Sequence, residues 1–405
     1  MARVRLPPLP PTLVLEGAAQ PFRFEMVASQ ACHARWPEVW VIARGWYTEL
    51  VTPRRRTRGQ NGRVTPRTLT PRALGRALLA RQLLLERSSL SLPDAIERIG
   101  GLQTQYAPSG YVGAWSRLAG FGRDELTAAL EDRSVVQASL MRVTIHMVAG
   151  RAFWAYAAGV RQPRRVWALR VPGGPDEATL RAQADRLRAA LADGPHTVKE
   201  LGKMGAGFVG NLGLWVDLVR VPPSGTWERR RADRLALAES WVGPPDATED
   251  EGLTHLVRAY LRGFGPAPWR DIGSWAGVSV TDVRRGAEGL TLVEYRDVEG
   301  RSLVDLPGEP LPDEDTPAPV RFLPHWDANL LVHARRTGVL PEPYRPRVFS
   351  IRNPFSVGTV LVDGRVVAAW SVKDGRVLVD PFEDLAAVDR AAIEAEREAL
   401  EAFHA

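Results

Sequence analysis

Two glutamines two positions apart, Gln103 and Gln105, stand in the stretch GGLQTQYAPSGYVGAW (residues 100–115), among Tyr106, Tyr111 and Trp115 and with no carboxylate in the segment. An amide side chain donates and accepts hydrogen bonds together, so it can hold a water molecule or grip a sugar or phosphate oxygen. It does not protonate near neutral pH and cannot be an ordinary general base. On a helix, residues i and i+2 point about 200° apart, whereas on an extended strand they point to one side. The pair therefore shares a site only where the helix is ending, and Pro108 and Gly110 supply that ending. Taken alone, the pair reads as structural amides at a helix end.

Other polar groups allow two readings each. In SLMRVTIHMVAG, Met141, Val143, Ile145 and Met147 alternate with Arg142, Thr144 and His146, the period of a strand. Its polar face is either solvated or lines a groove. His325, Trp326 and Asp327 in FLPHWDANLLVHARR fit a structural cluster, with Asp327 capping a helix, or a DNA-facing site. Tyr106 and Tyr111 lie next to a helix end, where aromatic residues are more often core. Gly205, Gly207 and Gly210 match G-x-G-x-x-G, but a helical pattern precedes them where a nucleotide site needs a strand. The seven histidines include His325 and His333 at a spacing of eight, and form no zinc-binding pattern.

The elements that must position these residues follow from pattern. Thr70 and Pro71 open a helix along TPRALGRALLARQLLLER, and a second helix, opened by Pro93, runs into the glutamines. RDELTAALED is a third, and the strand from Met141 follows. After a Pro- and Arg-rich connection at VRQPRRVW, DGPHTVKELGKM and the segment around NLGLWVDL read as helices, and LVRVPPSGTWERR as strand, turn and strand. THLVRAYLRGFG, PWRDIGSWAG and SVTDVRRGAEGL read as helices before a hairpin turned at Glu299 and Gly300. Beyond the linker PGEPLPDEDTPAP, short strands in RVFSIRNP, GTVLVDGRVVAAWSV and GRVLVDPF turn at Asp363 and Asp374, before an amphipathic helix over 385–403.

The order of elements is α+β: three tandem winged helices over 70–165, 185–245 and 252–308, then a small β-barrel-like domain over 318–405. Residues 1–69 lack periodicity and are a basic arm or an over-extended gene start. Of the net charge of +6, residues 1–72 supply twelve arginines against four glutamates, so the rest of the chain is slightly acidic. Charge alone is thus poor support for nucleic-acid binding by the folded body. Arginine outnumbers lysine 50 to 3. Cys32 is the only cysteine, which excludes internal disulfides and iron–sulfur clusters. No apolar run of the roughly eighteen residues that a membrane span needs occurs, and the expected location is the cytoplasm.

With these residues placed, the chain resembles the winged-helix DNA glycosylases that unhook interstrand crosslinks, the AlkZ/YcaQ-type family. The resemblance rests on GLQTQYAPSGYVGAWSRL, MRVTIHMV, FLPHWDANLLVHARR and GTVLVDGRVVAAW in that order, from Thr70 onward. It implies a C-shaped DNA clamp, no metal or organic cofactor, and a catalytic Gln-x-Gln or Gln-x-Asp motif. Here that motif is Gln103-Thr104-Gln105, the Gln-x-Gln branch associated with natural-product crosslink resistance. A DNA-inserting hairpin is implied around Arg352 and Asn353. DNA contacts are expected from Tyr106, Tyr111, Arg142, Thr144, His146, His325, Asp327, His333, Arg352 and Asn353.

The chemistry implied is hydrolysis, by a monomer, of the N-glycosidic bond of N7-alkylated purines, bulky adducts or crosslinks included. Glycoside hydrolases ordinarily use two carboxylates. A purine alkylated at N7 is already cationic and departs as a neutral base without a protein acid. The alternative is a non-enzymatic winged-helix regulator, which binds sequence-specifically as a dimer.

Overall fold

The computed structural model describes residues 66–170, 174–203, 214–331, 338–349 and 356–405. Residues 1–65, Gly205, Gly207, Gly210, His333, Arg352 and Asn353 lie outside the described residues. Helices and largely antiparallel sheets make up the rest, the α+β mixture expected.

Helix α1 (Pro71–Arg81) starts as the sequence dictates. Thr70 Oγ1 accepts the Ala73 N–H at 3.0 Å, and Pro71 occupies a position whose N–H has no helical partner. Before it, β1 (Thr68–Leu69) pairs in parallel with a later strand, so Thr68 and Leu69 belong to the fold and not to the extension expected to reach residue 69. Helix α2 (Leu92–Arg98), capped by Ser91, ends before Gly100 and Gly101, whose φ values of 80° and 89° are left-handed. Two consecutive residues there need glycine. They turn the chain from helix into strand, so the glutamines are not on a helix end: β2 (Leu102–Gln103) pairs antiparallel with the later strand Ile145–Ala149.

Pro108 opens a helix instead of closing one, because proline suits a first turn as well as a stop: α3 runs Pro108–Trp115. After α4 (Arg123–Glu131), β3 (Val135–Ser139) and β4 (Ile145–Ala149) form a hairpin. The strand expected from Met141 therefore begins only at Ile145. Arg142 and Val143 take φ 53° and 60° and make the turn, so their alternation with neighbours was fortuitous.

The supposed connection at VRQPRRVW lies within α5 (Phe153–Leu169), which continues through Pro163. An interior proline costs about 3 kcal/mol. The face of α5 ahead of the proline, with Phe153, Trp154 and Tyr156, is buried in the core. Then follow α6 (Glu177–Ala190), β5 (His196–Thr197), α7 (Val198–Lys203), β6 (Leu218–Arg220), β7 (Arg234–Leu237) and α8 (Ala238–Trp241). Two expectations fail in this stretch. The described part of NLGLWVDL is a turn leading into β6, and the return strand is Arg234–Leu237, not TWERR. Strand order β2-β4-β3-β6-β7-β5 joins both hairpins in one sheet.

Helix α9 (Glu249–Phe264), with a Thr248/Glu251 capping box, packs on α5 through Gly159 and Gly252. A Cβ on Gly159 would lie 2.6 Å from the Gly252 carbonyl carbon, so the crossing requires both glycines. Next come α10 (Trp269–Ala276), α11 (Val280–Gly286), β8 (Val293–Asp297) and β9 (Ser302–Asp305), with Gly300 in the expected turn. The last part holds β10 (Arg321–Leu323), α12 (Arg345–Val348), β11 (Gly358–Val362), β12 (Arg365–Lys373), β13 (Arg376–Pro381) and α13 (Ala387–His404). Both Asp-Gly turns form as expected, with Asp363 and Asp374 at φ 48° and 51°.

The barrel is corrected: among the described residues these strands form an open four-stranded antiparallel sheet, β10-β11-β12-β13, covered by Ile393 and Leu400 of α13. In RVFSIRNP, Arg347 and Val348 end a short helix instead of starting a strand. One apolar core unites Leu102, Tyr111 and Met147 with Phe322, Val360 and Trp370, so the back of β2 rests on this sheet. No helix among the described residues is long and apolar enough to cross a membrane.

Candidate functional site

The Gly100–Gly101 switch sets Gln103 opposite His146 on β4, and Gln105 follows two residues on, at the bend between β2 and α3. Thr104 N donates to Ile145 O at 2.8 Å, continuing the ladder. The next acceptor is a side chain: Gln105 Oε1 accepts the Ile145 N–H at 2.6 Å. Gln103 Oε1 accepts from Arg142 Nη2 at 2.6 Å. Each partner can only donate, so the chemistry fixes both amides with oxygen inward. Their NH2 groups therefore face away from these anchors, and each oxygen keeps a second lone pair. Gln103 is buried and Gln105 half-buried.

Arg142 is aimed by the strained β3–β4 turn. Its Nη1 donates to Trp275 O, and Thr144 Oγ1 donates to Met141 O at 2.9 Å within the same turn. Non-glycine residues in left-handed conformations cost roughly 1–3 kcal/mol each. Burial lowers the Arg142 pKa to about 10, which leaves it charged at neutral pH. His146 is the reverse case. Burial, then the neighbouring Arg142 charge, hold its pKa at about 3, so it is neutral and unsuited to act as an acid. Its Nδ1 lies 3.0 Å from Thr144 O.

The remaining expected residues divide. Tyr106 stands half-buried at the site, its hydroxyl accepting from Arg230 Nη1 at 2.9 Å and its ring edge-on to His325 at 5.6 Å. Burial holds the His325 pKa at about 4. Tyr111 is fully buried, with its ring on Trp227 at 5.5 Å and its hydroxyl 2.9 Å from Thr127 Oγ1. That is an interior position and not the DNA-facing one expected. Asp327 is interior too: it accepts from Arg117 Nη2 at 2.9 Å and from Asn329 N at 3.0 Å, capping a helical turn. Asp327 shares a small cavity with Gln103, Gln82 and Arg117, but its oxygens are committed.

Sequence reading missed Arg230. It lies in the β6–β7 loop, whose neck is held by the Ser224 hydroxyl on Arg231 O and Asp233 N at 2.6 and 2.8 Å. Arg230 sits over Tyr106 and Trp227, at 5.9 and 5.7 Å. The run Arg229–Arg231 was the available signal: three successive charges suit an exposed loop better than a strand with one buried face.

A pair of amides anchored through their oxygens at the edge of the six-stranded sheet, with no carboxylate bonded to either among the described residues, is the candidate site on this mixed α/β scaffold. The family described as DNA glycosylase AlkZ-like matches residues 96–403, and the chain belongs to that family, whose chemistry is hydrolysis of an N-glycosidic bond. The chain is 26% identical over 346 residues to an interstrand DNA cross-link repair glycosylase of Streptomyces sahachiroi, covering 78% of this chain and 92% of that protein. The solved structure of the Streptomyces sahachiroi DNA glycosylase AlkZ has a similar fold, with a TM-score of 0.71 at 22% identity over 83% of this chain and 97% of that one.

Proposed function

We propose that this glycosylase excises N7-alkylated purines, including bulky adducts and interstrand crosslinks, as a monomer, with Gln103 and Gln105 as the catalytic residues. The observation that carries the reading is the anchoring of both amides through oxygen, by Ile145 N–H and by Arg142, with no carboxylate bonded to either among the described residues. Held in this way, Gln105 places a water at C1′ and Gln103 fixes that water or the deoxyribose. Preorganised dipoles of this kind stabilise charge that develops on the sugar. With no acid to protonate a neutral base, the substrate must bring its own positive charge. The relative from Streptomyces sahachiroi, described as a cross-link repair glycosylase, supports the choice of lesion.

Three tandem winged helices in a C-shaped clamp complete the reading. Supporting it, helices precede each of the hairpins β3–β4, β6–β7 and β8–β9. A crosslinked base stays tied to the opposite strand, so an open groove is required in place of a deep pocket.

The test is incubation with duplex DNA bearing one N7-methylguanine, followed by alkaline cleavage of abasic sites. Strand breaks with the wild type and none with Gln105→Ala are expected; full excision by Gln105→Ala would remove the assignment. Gln105→Asp should keep appreciable activity, and a folded but inert Gln105→Asp would count against a water-placing role at this position.

A further inference from the structure

The Arg- and Pro-rich stretch of α5 holds its arginines in different ways. Arg161 pairs with Asp217 through contacts of 2.9 and 3.2 Å. Arg164, one turn on and only 6% exposed, donates through Nη1 to Ser139 O at 3.3 Å, and its Nε has no partner. From β6, Arg220 donates through Nη1 to Ser139 Oγ at 3.1 Å and through Nε to Ala232 O at 3.1 Å. Two guanidinium groups thus meet at the last residue of β3 with only neutral hydrogen-bond acceptors among the described residues, and the one carboxylate acting on Arg164 from a distance, Asp217, is itself bonded to Arg161.

Taking such charges out of water costs several kcal/mol each unless an anion compensates. Burial lowers both pKa values to about 10, so both groups are charged when the protein works. The cluster also holds donors still to be used: Arg164 Nε–H, and the Ser139 hydroxyl proton, since Ser139 Oγ accepts from Arg220. Ser139 and Arg220 are partly exposed, which opens the cluster to solvent. Two guanidiniums and a hydroxyl match the several acceptor oxygens of a phosphodiester.

Ser139 lies directly across from Ile145, and the Ile145 N–H on the other side of β4 holds Gln105. Two inter-strand spacings, about 10 Å, therefore separate the cluster from the glutamine strand. At a rise of about 3.4 Å per nucleotide, that is about three nucleotides.

We propose that Arg164, Arg220 and Ser139 form a binding site for one backbone phosphate of the DNA strand, within about three nucleotides of the base held at Gln103 and Gln105. The site rests on the glycosylase reading above, and its role is to set register. A phosphate neutralised here cannot assist a cationic transition state, so its loss weakens binding and leaves the chemical step intact.

The experiment uses the full chain and a duplex with a single tetrahydrofuran abasic-site analogue, with binding measured across a sodium chloride series. Arg164→Gln and Arg220→Gln should each lower the slope of log K against log salt by about 0.9, the value for one phosphate contact. Single-turnover excision of N7-methylguanine at saturating protein should stay within twofold of wild type. Methylphosphonates placed singly at the three phosphates on either side of the analogue should reveal one position that weakens wild-type binding severalfold and leaves the variants unaffected. Unchanged slopes in folded variants, or no sensitive position in the wild type, would overturn the proposal. The methylphosphonate scan needs no substitution, so it decides the matter even if a variant fails to fold. Protection of the wild type from thermal unfolding by inorganic phosphate, with unchanged DNA slopes, would assign the site to a small free anion and overturn the DNA assignment. An active Gln105→Ala would refute the catalytic reading without moving any slope, so the two failures are distinguishable.

Discussion

Buried and partly buried arginines fall into two groups in this protein, and the contrast separates scaffold from site. Arg81 makes a bidentate pair with Asp305 at 2.7 Å, joining α1 to β9, and Arg117 pairs with Asp327, joining α3 to the segment after β10. Arg76 and Arg321 likewise face Asp363 and Glu396. Around the glutamines, Arg142, Arg164 and Arg220 have amide, carbonyl and hydroxyl partners instead. A buried pair is closed within the chain and fixes where elements meet. A desolvated arginine beside neutral acceptors keeps its charge for an anion from outside, at a standing cost to stability.

The sharpest way to break this contrast is to unpair a scaffold arginine. Asp327→Ala strands Arg117 in the core and should destabilise the fold by about 3–5 kcal/mol in urea unfolding. A loss under about 1 kcal/mol would mean that the paired group is no more structural than the unpaired one.

Next comes the site itself. Gln105→Ala should slow excision by about 100-fold or more, the usual cost of losing a preorganised dipole, while the Kd for undamaged duplex stays within about twofold. Loss of affinity in step with activity would make Gln105 a binding residue instead.

Protonation offers a smaller effect. His146 has a folded pKa near 3 against an ordinary 6.5, because burial disfavours its charged form. Its contribution is intact above pH 6.5 and is lost as pH falls below that value toward 3, about 2 kcal/mol at pH 5. His255, with a pKa of about 4, acts in the same direction. Unfolding at pH 7.5 and 5 measures the loss. Over pH 6–8 the excision rate should stay flat, since the glutamines do not titrate and His146 is already neutral; a bell-shaped profile would reveal an acid other than the described residues of the site.

The smallest effect is expected at Arg181, exposed and paired with Glu177 one turn away. Arg181→Ala should change stability by under about 0.5 kcal/mol and leave the salt slope unaltered. A slope change as large as that of Arg164→Gln would show that any arginine serves, and would dissolve the contrast.

Local chemistry decided much of this protein before any folding. Thr70 and Pro71 start α1, Asp363-Gly364 and Asp374-Gly375 turn the last sheet, and the ordered motifs around Gln103 and Gln105 carry the family. These features depend on a few adjacent residues whose conformational preferences are strong. The tertiary structure decided the rest. Gly100 and Gly101 could have ended a helix anywhere, and pairing with β4 made them the switch that sets Gln103 on a strand and Gln105 at the bend just beyond it. Pro163 reads as a break, yet α5 runs through it, with the half ahead of the proline packed against α9 in the core. Arg142 and Val143 copy a strand's alternation, yet the β3–β4 hairpin needs its turn there. The meeting of Arg164 and Arg220 at Ser139 spans 81 residues of sequence between Ser139 and Arg220. No local pattern encodes a contact at that separation, because long-range packing alone brings those charges together.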